Sequence, residues 1–172
     1  MVFSDIGRRC HHWSVEITID DRPPTDDVRR LFREYAGSLS FELDFQDFER
    51  EVAELPGPYA PPHGALLLAR VDGDPAGCVG VRSLRDGAGE LKRLYVRDRH
   101  RGLGIGRRLT EEAIVAARSL GYASLRLDTT PEMTAAQALY GTLGFREIVP
   151  YRHNPIAGAR YLELDLTGPA AR

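Results

Sequence analysis

The chain has 172 residues, 42% of them hydrophobic and 28% charged, which suits one globular domain able to bury its own core and excludes disorder as a whole. Its 23 lysines and arginines against 25 aspartates and glutamates leave a formal net charge of -2, so no global basic excess points to nucleic acid as the main partner. No run of about 18 apolar residues is present, and the longest stretch without a charge, Leu55 to Ala69, carries four prolines (Pro56, Pro58, Pro61 and Pro62), so no membrane span is expected.

Residues 1–12 read as a flexible tail. Asp5, Arg8 and Arg9 leave no apolar core for a secretory signal, and the expected address is cytoplasmic. Cys10-His11-His12 has no companion ligands at useful spacing, so no metal is expected, and Cys78, between Gly77 and Val79, reads as a small buried strand residue. Residues 13–167 form the single expected domain and 168–172 a C-terminal tail. Trp13, Val15, Ile17 and Ile19 alternate with polar residues as in a half-buried strand. Thr25 is placed to cap a helix whose first turn holds Asp26 and Asp27 and whose apolar stripe is Val28, Leu31, Phe32 and Tyr35. Phe45, Phe48, Val52 and Leu55 predict a second helix, closed by Pro56-Gly57-Pro58.

Ala65–Val71 and Ala76–Arg82 are apolar runs joined around Asp72-Gly73, which predicts a hairpin. Gly89–Arg97 is a third strand of this group, with Glu90, Lys92, Leu94 and Val96 on one face and Leu91, Arg93 and Tyr95 on the other. A helix follows from Gly104 to Leu120 with Gly121 as its stop, then a strand at Ser124–Asp128 and a helix at Thr134–Leu143 ended by Gly144. Phe145–Val149 and Arg160–Leu166 are the last strands, around a loop holding Tyr151, Asn154 and Pro155. This order predicts an α/β (α+β) layer with a mixed sheet. One further skew concerns composition: Lys92 is the single lysine among the 23 basic residues, which we read as nucleotide bias rather than function.

Residues 91–108 hold seven basic residues and one acidic residue, a local excess of six that suits one polyanionic ligand. Within them Arg101-Gly102-Leu103-Gly104-Ile105-Gly106 lies between a strand and a helix start. Glycines there let backbone amides approach a phosphate, where the helix dipole favours an anion. A dinucleotide-binding turn is one reading, with Asp128 downstream. Against it, Arg97-Asp98-Arg99-His100-Arg101 separates strand from glycines, and Arg107 stands where a third glycine of Gly-x-Gly-x-x-Gly belongs.

These residues resemble the GNAT superfamily of acetyltransferases, over about Val15 to Leu166 and most densely from Glu90 to Arg146. The resemblance implies the GNAT fold, a central mixed and mostly antiparallel sheet with helices on both faces, and acetyl-CoA as co-substrate without a metal. In the family pattern Arg/Gln-x-x-Gly-x-Gly/Ala, which holds the pyrophosphate, Arg101, Gly104 and Gly106 match. Gly102, Leu103, Ile105 and Arg107 complete the expected cofactor loop, and Leu94-Tyr95-Val96 is the strand end expected along the pantetheine arm. Ala138-Leu139-Tyr140 followed by Gly144-Phe145 matches a second motif. Met133 departs from it, standing where an asparagine often contacts the cofactor arm.

An amine must lose its proton before it attacks a thioester, and the departing thiolate gains from a proton donor. Glu90 is the expected general base and Tyr140 the expected general acid, with direct transfer in a ternary complex. Structural roles compete for both: an ion pair of Glu90 with Lys92 or Arg93, and simple packing of the Tyr140 ring. The resemblance directs the acceptor to a slot near Tyr35, Arg93, Tyr151, Arg152 and Asn154. Arg93 and Arg152 are placed to grip a carboxylate, which favours a small anionic amine. The expected function is N-acetyl transfer to a primary amine of a small molecule, in a monomer or homodimer. The alternative is a catalytically silent acyl-CoA-binding sensor of the same fold.

Overall fold

The computed structural model describes residues 15–43 and 47–168. The expected N-terminal tail, most of the C-terminal tail, Trp13 of the first strand and Phe45 of the second helix lie outside the described residues. Among the described residues seven strands form one sheet: β1 (Ile17–Asp20), β2 (Ala65–Val71), β3 (Asp74–Ser83), β4 (Gly89–Val96), β5 (Ser124–Thr129), β6 (Arg146–Ile148) and β7 (Arg160–Asp165). Their order is β1-β2-β3-β4-β5-β7-β6. β4 and β5 are parallel, joined by a helical crossover, and the other neighbours are antiparallel. The helices are α1 (Thr25–Gly37), α2 (Phe48–Ala53), α3 (Ile105–Ser119) and α4 (Thr134–Thr142).

Helices cover both faces, so the central strands are apolar on both sides and alternate between two cores. Leu66, Leu68 and Cys78 pack with Val28, Leu31, Phe32 and Val52 of α1 and α2. Leu67, Val79, Val81, Leu91, Leu125 and Leu127 pack instead with Leu109, Ala113 and Ala117 of α3 and with Tyr140 of α4. The hairpin between β2 and β3 turns on Asp72 (φ 49°) and Gly73 (φ 87°), both left-handed as a two-residue turn of type I′ requires. α1 begins one residue earlier than its cap residue suggests: Pro24 takes the cap position, Thr25 is already helical, and Asp26 and Asp27 meet the positive end of the dipole. α2 is six residues long, and Leu55 falls in the turn beyond it.

Two irregularities shape the centre of the sheet. The register between β3 and β4 shifts between Cys78 and Gly80, opposite Arg93, whose φ is +60°. This β-bulge corrects the expected alternation in β4. Leu94 and Val96 pack on the α3 side, whereas Arg93 joins Lys92 on the α1–α2 side and Tyr95 follows it. Secondly, β4 and β5 pair only at Gly89↔Leu125 and Glu90↔Arg126. Beyond that point the strands part.

Candidate active site

The parting strands open a cleft of ≈ 730 Å³ that runs from the start of α3 to the α1–α2 segment. At the α3 end it is built from backbone. Gly102 (φ 78°) and Gly104 (φ 75°) adopt left-handed conformations with open space where a side chain would stand. Gly104 caps α3 without any side-chain hydrogen bond, so the first-turn amides keep their donors for an anion. Arg101, Gly102, Gly104, Ile105 and Gly106 line the cleft, as do Leu94, Tyr95 and Val96 of β4. Leu103 and the Arg107 side chain do not. Leu103 is exposed, and Arg107 is turned along the surface, donating to Thr142 Oγ1 at 2.7 Å and pairing with Glu111 at 3.1 Å.

The middle of the cleft is lined by Lys92, Asp128 and Tyr140. Two residues past the last β4–β5 pair on each strand come Lys92 and Asp128, on the face that Glu90 and Arg126 occupy. Lys92 Nζ lies 3.6 Å from Asp128 Oδ1, with both side chains almost fully buried. Burial drives the Lys92 ammonium down to about 7, against the opposing pull of Glu90 and Asp128. Burial also acts on Asp128, but Lys92, Arg152 and a 2.8 Å hydrogen bond from Asn154 Nδ2 outweigh it and hold its carboxyl below the usual range. Tyr140 is 5% exposed, its ring 5.5 Å from that of Phe145, and burial raises its phenol well above the ordinary value. It therefore stays protonated at neutral pH, as a proton donor must.

Three expected site residues, Glu90, Tyr151 and Arg152, stand behind the cleft wall and not on it. Glu90 is fully buried and does not line the cleft. Its carboxylate accepts from Arg82 Nε at 2.8 Å and Tyr151 Oη at 2.9 Å, and pairs with Arg152 at 3.1 Å. Burial would raise its carboxyl, but Lys92, Arg82 and Arg152 prevail and hold it low. Through Tyr151 and Arg152 the Glu90 carboxylate is tied to the β6–β7 loop. Arg152 gives Nη1 to Glu90 and Nη2 to Asp128, and its buried Nε has no partner. Arg93 does line the cleft with Tyr35 and Asn154, yet its guanidinium fork is filled by Glu51, at 3.1 and 2.6 Å, in a pair buried against Phe48. The expected grip of two arginines on an acceptor carboxylate thus has no open fork.

The model of the acetyltransferase (GNAT) family matches residues 25–145. The chain belongs to the GNAT family. It is 40% identical to an uncharacterized N-acetyltransferase of Schizosaccharomyces pombe over 144 residues, covering 83% of this chain and 88% of that one. It is 30% identical to the human N-acetylaspartate synthetase over 131 residues, 76% of this chain and 41% of the other. Among solved structures, a GNAT-family acetyltransferase of Staphylococcus aureus superposes with a TM-score of 0.73 at 21% identity, covering 88% of this chain and all of that one. A Salmonella typhimurium protein described as an acetyltransferase, solved with its cofactor acetyl-CoA, gives 0.71 at 19% identity over 91% and 98%.

As a GNAT member the protein is an acetyl-CoA-dependent acetyltransferase, and its residues fit that co-substrate. The amides at the start of α3 suit the pyrophosphate, and the edge of β4 freed by the bulge and the parting of β5 suits an extended amide-bearing arm. Acetyl-CoA supplies an activated acyl group as a thioester. Met133, where the family often has asparagine, lines the cleft at the cap of α4, its sulfur 3.6 Å from Thr129 Oγ1. Among the described residues no group of His, Cys, Asp or Glu is arranged to hold a metal ion, and no helix is long and apolar enough to cross a membrane. Sequence reasoning missed Lys92 and Asp128. The signal for Lys92 was present in its being the single lysine, whereas Asp128 carries none beyond its alternation with Leu125 and Leu127.

Proposed function

We propose that this GNAT enzyme acetylates the primary amine of a small molecule by direct transfer from acetyl-CoA in a ternary complex. The observation that carries the reading is the form of the cleft beyond Tyr140. It is walled by Tyr35, Leu39, Phe41 and Leu43, and Ser40 Oγ, beside that wall, donates across to Glu132 at 2.5 Å. An apolar end crossed by this hydrogen bond supports a compact acceptor over a polypeptide passing through. The names of relatives do not choose among acceptors, because they include an N-acetylaspartate synthetase and an IAA acetyltransferase.

In this reading the amides of residues 102–107 and the edge of β4 at Leu94–Val96 hold the co-substrate, Tyr140 gives its phenolic proton to the departing sulfur, and Tyr35 and Asn154 shape the acceptor end. Among the described residues the one cysteine, Cys78, is buried in the α1–α2 core and takes up no acyl group. The test is release of free thiol on mixing the protein with acetyl-CoA and a panel of small amines, amino acids and peptides. Turnover with small amines and none with peptides supports the reading. Turnover with peptides alone overturns its substrate class, and tight acetyl-CoA binding without release by any acceptor makes the protein a sensor.

A further inference from the structure

The chain uses arginine at 22 basic positions and lysine at one. Whatever bias favours arginine codons, it fails at position 92, where the side chain is buried and lines the reaction cleft. An arginine there would satisfy Glu90 and Asp128 at least as well, with more donors and a permanent charge. What arginine cannot do in a protein is lose its proton. The position therefore asks for a cation that is able to become neutral. The charged groups around Lys92 are Glu90 and Arg93 on β4, Asp128 on β5, Arg152 of the β6–β7 loop and, more distantly, Glu51 of α2. Two arginines and burial oppose the ammonium, the carboxylates of Glu90 and Asp128, with Glu51 farther off, favour it, and the balance lies near neutrality.

We infer that Lys92 is the catalytic base of this site, the group that removes the proton from the acceptor ammonium. The inference rests on the acetyltransferase reading above. The neutral Lys92 amine takes a proton from the acceptor R–NH₃⁺ and becomes an ammonium beside Asp128. The freed amine nitrogen bonds to the thioester carbonyl carbon, and the C–S bond breaks. The sulfur takes the Tyr140 proton, the phenol is restored by the second proton leaving the acceptor nitrogen, and Lys92 returns its proton to solvent. The balance is R–NH₃⁺ plus acetyl thioester to R–NH–acetyl, thiol and H⁺. Asp128, ionised throughout, positions the lysine and steadies its charged form, and the charge of Glu90 adds to that effect directly. Of the two carboxylates that line the cleft among the described residues, Asp128 is held below the ordinary carboxylate range and is a weak base at neutral pH, and Glu132 accepts from Ser40 at the far end.

A single lysine makes the test direct. Protein labelled with ¹³C-lysine gives one side-chain resonance, and its titration midpoint should fall near pH 7, instead of about 10.4 for a free lysine. In wild type, kcat/KM should rise with pH through the same midpoint and level off above it. Lys92→Arg, which keeps the charge, and Lys92→Met, which keeps the length, should each lower kcat/KM about 10²- to 10⁴-fold at pH 8 and lose that limb of the profile, with acetyl-CoA affinity unchanged by calorimetry. A midpoint above pH 9, or an active Lys92→Arg with the wild-type profile, overturns the inference and leaves the acetyltransferase reading standing. So does mass spectrometry showing the acetyl group passing through Lys92 itself, which would make the lysine a nucleophile. Wild-type protein that releases no thiol with any amine overturns both.

Discussion

The two ends of the cleft are built from different materials. At the start of α3 the site is backbone: glycines at positive φ, an uncapped helix and few side chains, in contact with solvent. At the parting of β4 and β5 it is side chain: Glu51, Glu90, Lys92, Arg93 and Asp128, each buried and each paired. The first end is made by local conformation, so its amides face outward whatever packs elsewhere. The second exists only because a bulge turns Arg93 onto the face of Lys92 and because α2 and the β6–β7 loop bring a carboxylate and a guanidinium to meet them. A recognition site for a common phosphate can be modular, whereas a reaction centre that shifts proton affinities needs burial, and burial needs the whole fold.

Breaking the side-chain end should show first in stability. Glu51→Gln leaves the Arg93 charge buried without its carboxylate, and unfolding in urea should show a loss of about 3 to 5 kcal/mol. The same network gives the protein an acid limit. Glu51, Glu90 and Asp128 all have carboxyls held below their ordinary values in the folded state. Their stabilisation is complete above the ordinary range, near pH 4.5, and is lost as pH falls through the depressed values. Thermal melts should therefore drop below about pH 4.5, and Glu51→Gln should flatten that slope.

Breaking the backbone end should leave stability nearly alone. Gly104→Asp sets a side chain at a positive φ and a negative charge where the pyrophosphate belongs, so calorimetry should show acetyl-CoA affinity falling about 100-fold or more, with an unchanged circular dichroism spectrum. Between the two ends, Tyr140→Phe keeps the ring against Phe145 and removes only the hydroxyl. If the phenol acts as the C–S bond breaks, kcat and kcat/KM should fall together by about 10²-fold, with acetyl-CoA affinity preserved. A fall in affinity at constant kcat would make the hydroxyl a binding group instead. The smallest change should come from Arg107→Ala, whose side chain serves Thr142 and Glu111 on the surface. Its amide remains, and affinity should move by no more than about 2-fold.

This contrast also governs how much could be read from the residues alone. The glycine turn, the Arg101-x-x-Gly104-x-Gly106 spacing and the helix after it are local in the chain, and the structure places them in the cleft as the spacing suggests. The company of Leu139, Gly144 and Phe145 singled out Tyr140, and the ring does line the cleft. Glu90 was not, because the partners that enclose it come from Arg82, eight residues away, and from Tyr151 and Arg152, some sixty residues away. The same distance in sequence hid the Glu51–Arg93 pair, which fills the fork assigned to an acceptor. The β4 alternation failed for a different reason: a bulge is set by pairing with β3, and a period of two has no means of announcing an extra residue.

Hydrophobic periodicity, turn residues and the glycine spacing by themselves determined the order of elements and the glycine turn before α3, because each depends on contacts within a few residues, and the two covered faces of the sheet came with the resemblance to the GNAT fold. Only the tertiary structure decided which charged side chains face the reacting groups and which are spent on one another. That choice depends on burial and on partners brought from distant parts of the chain, and it separates Lys92, lining the cleft, from Glu90, one strand turn away and sealed behind it.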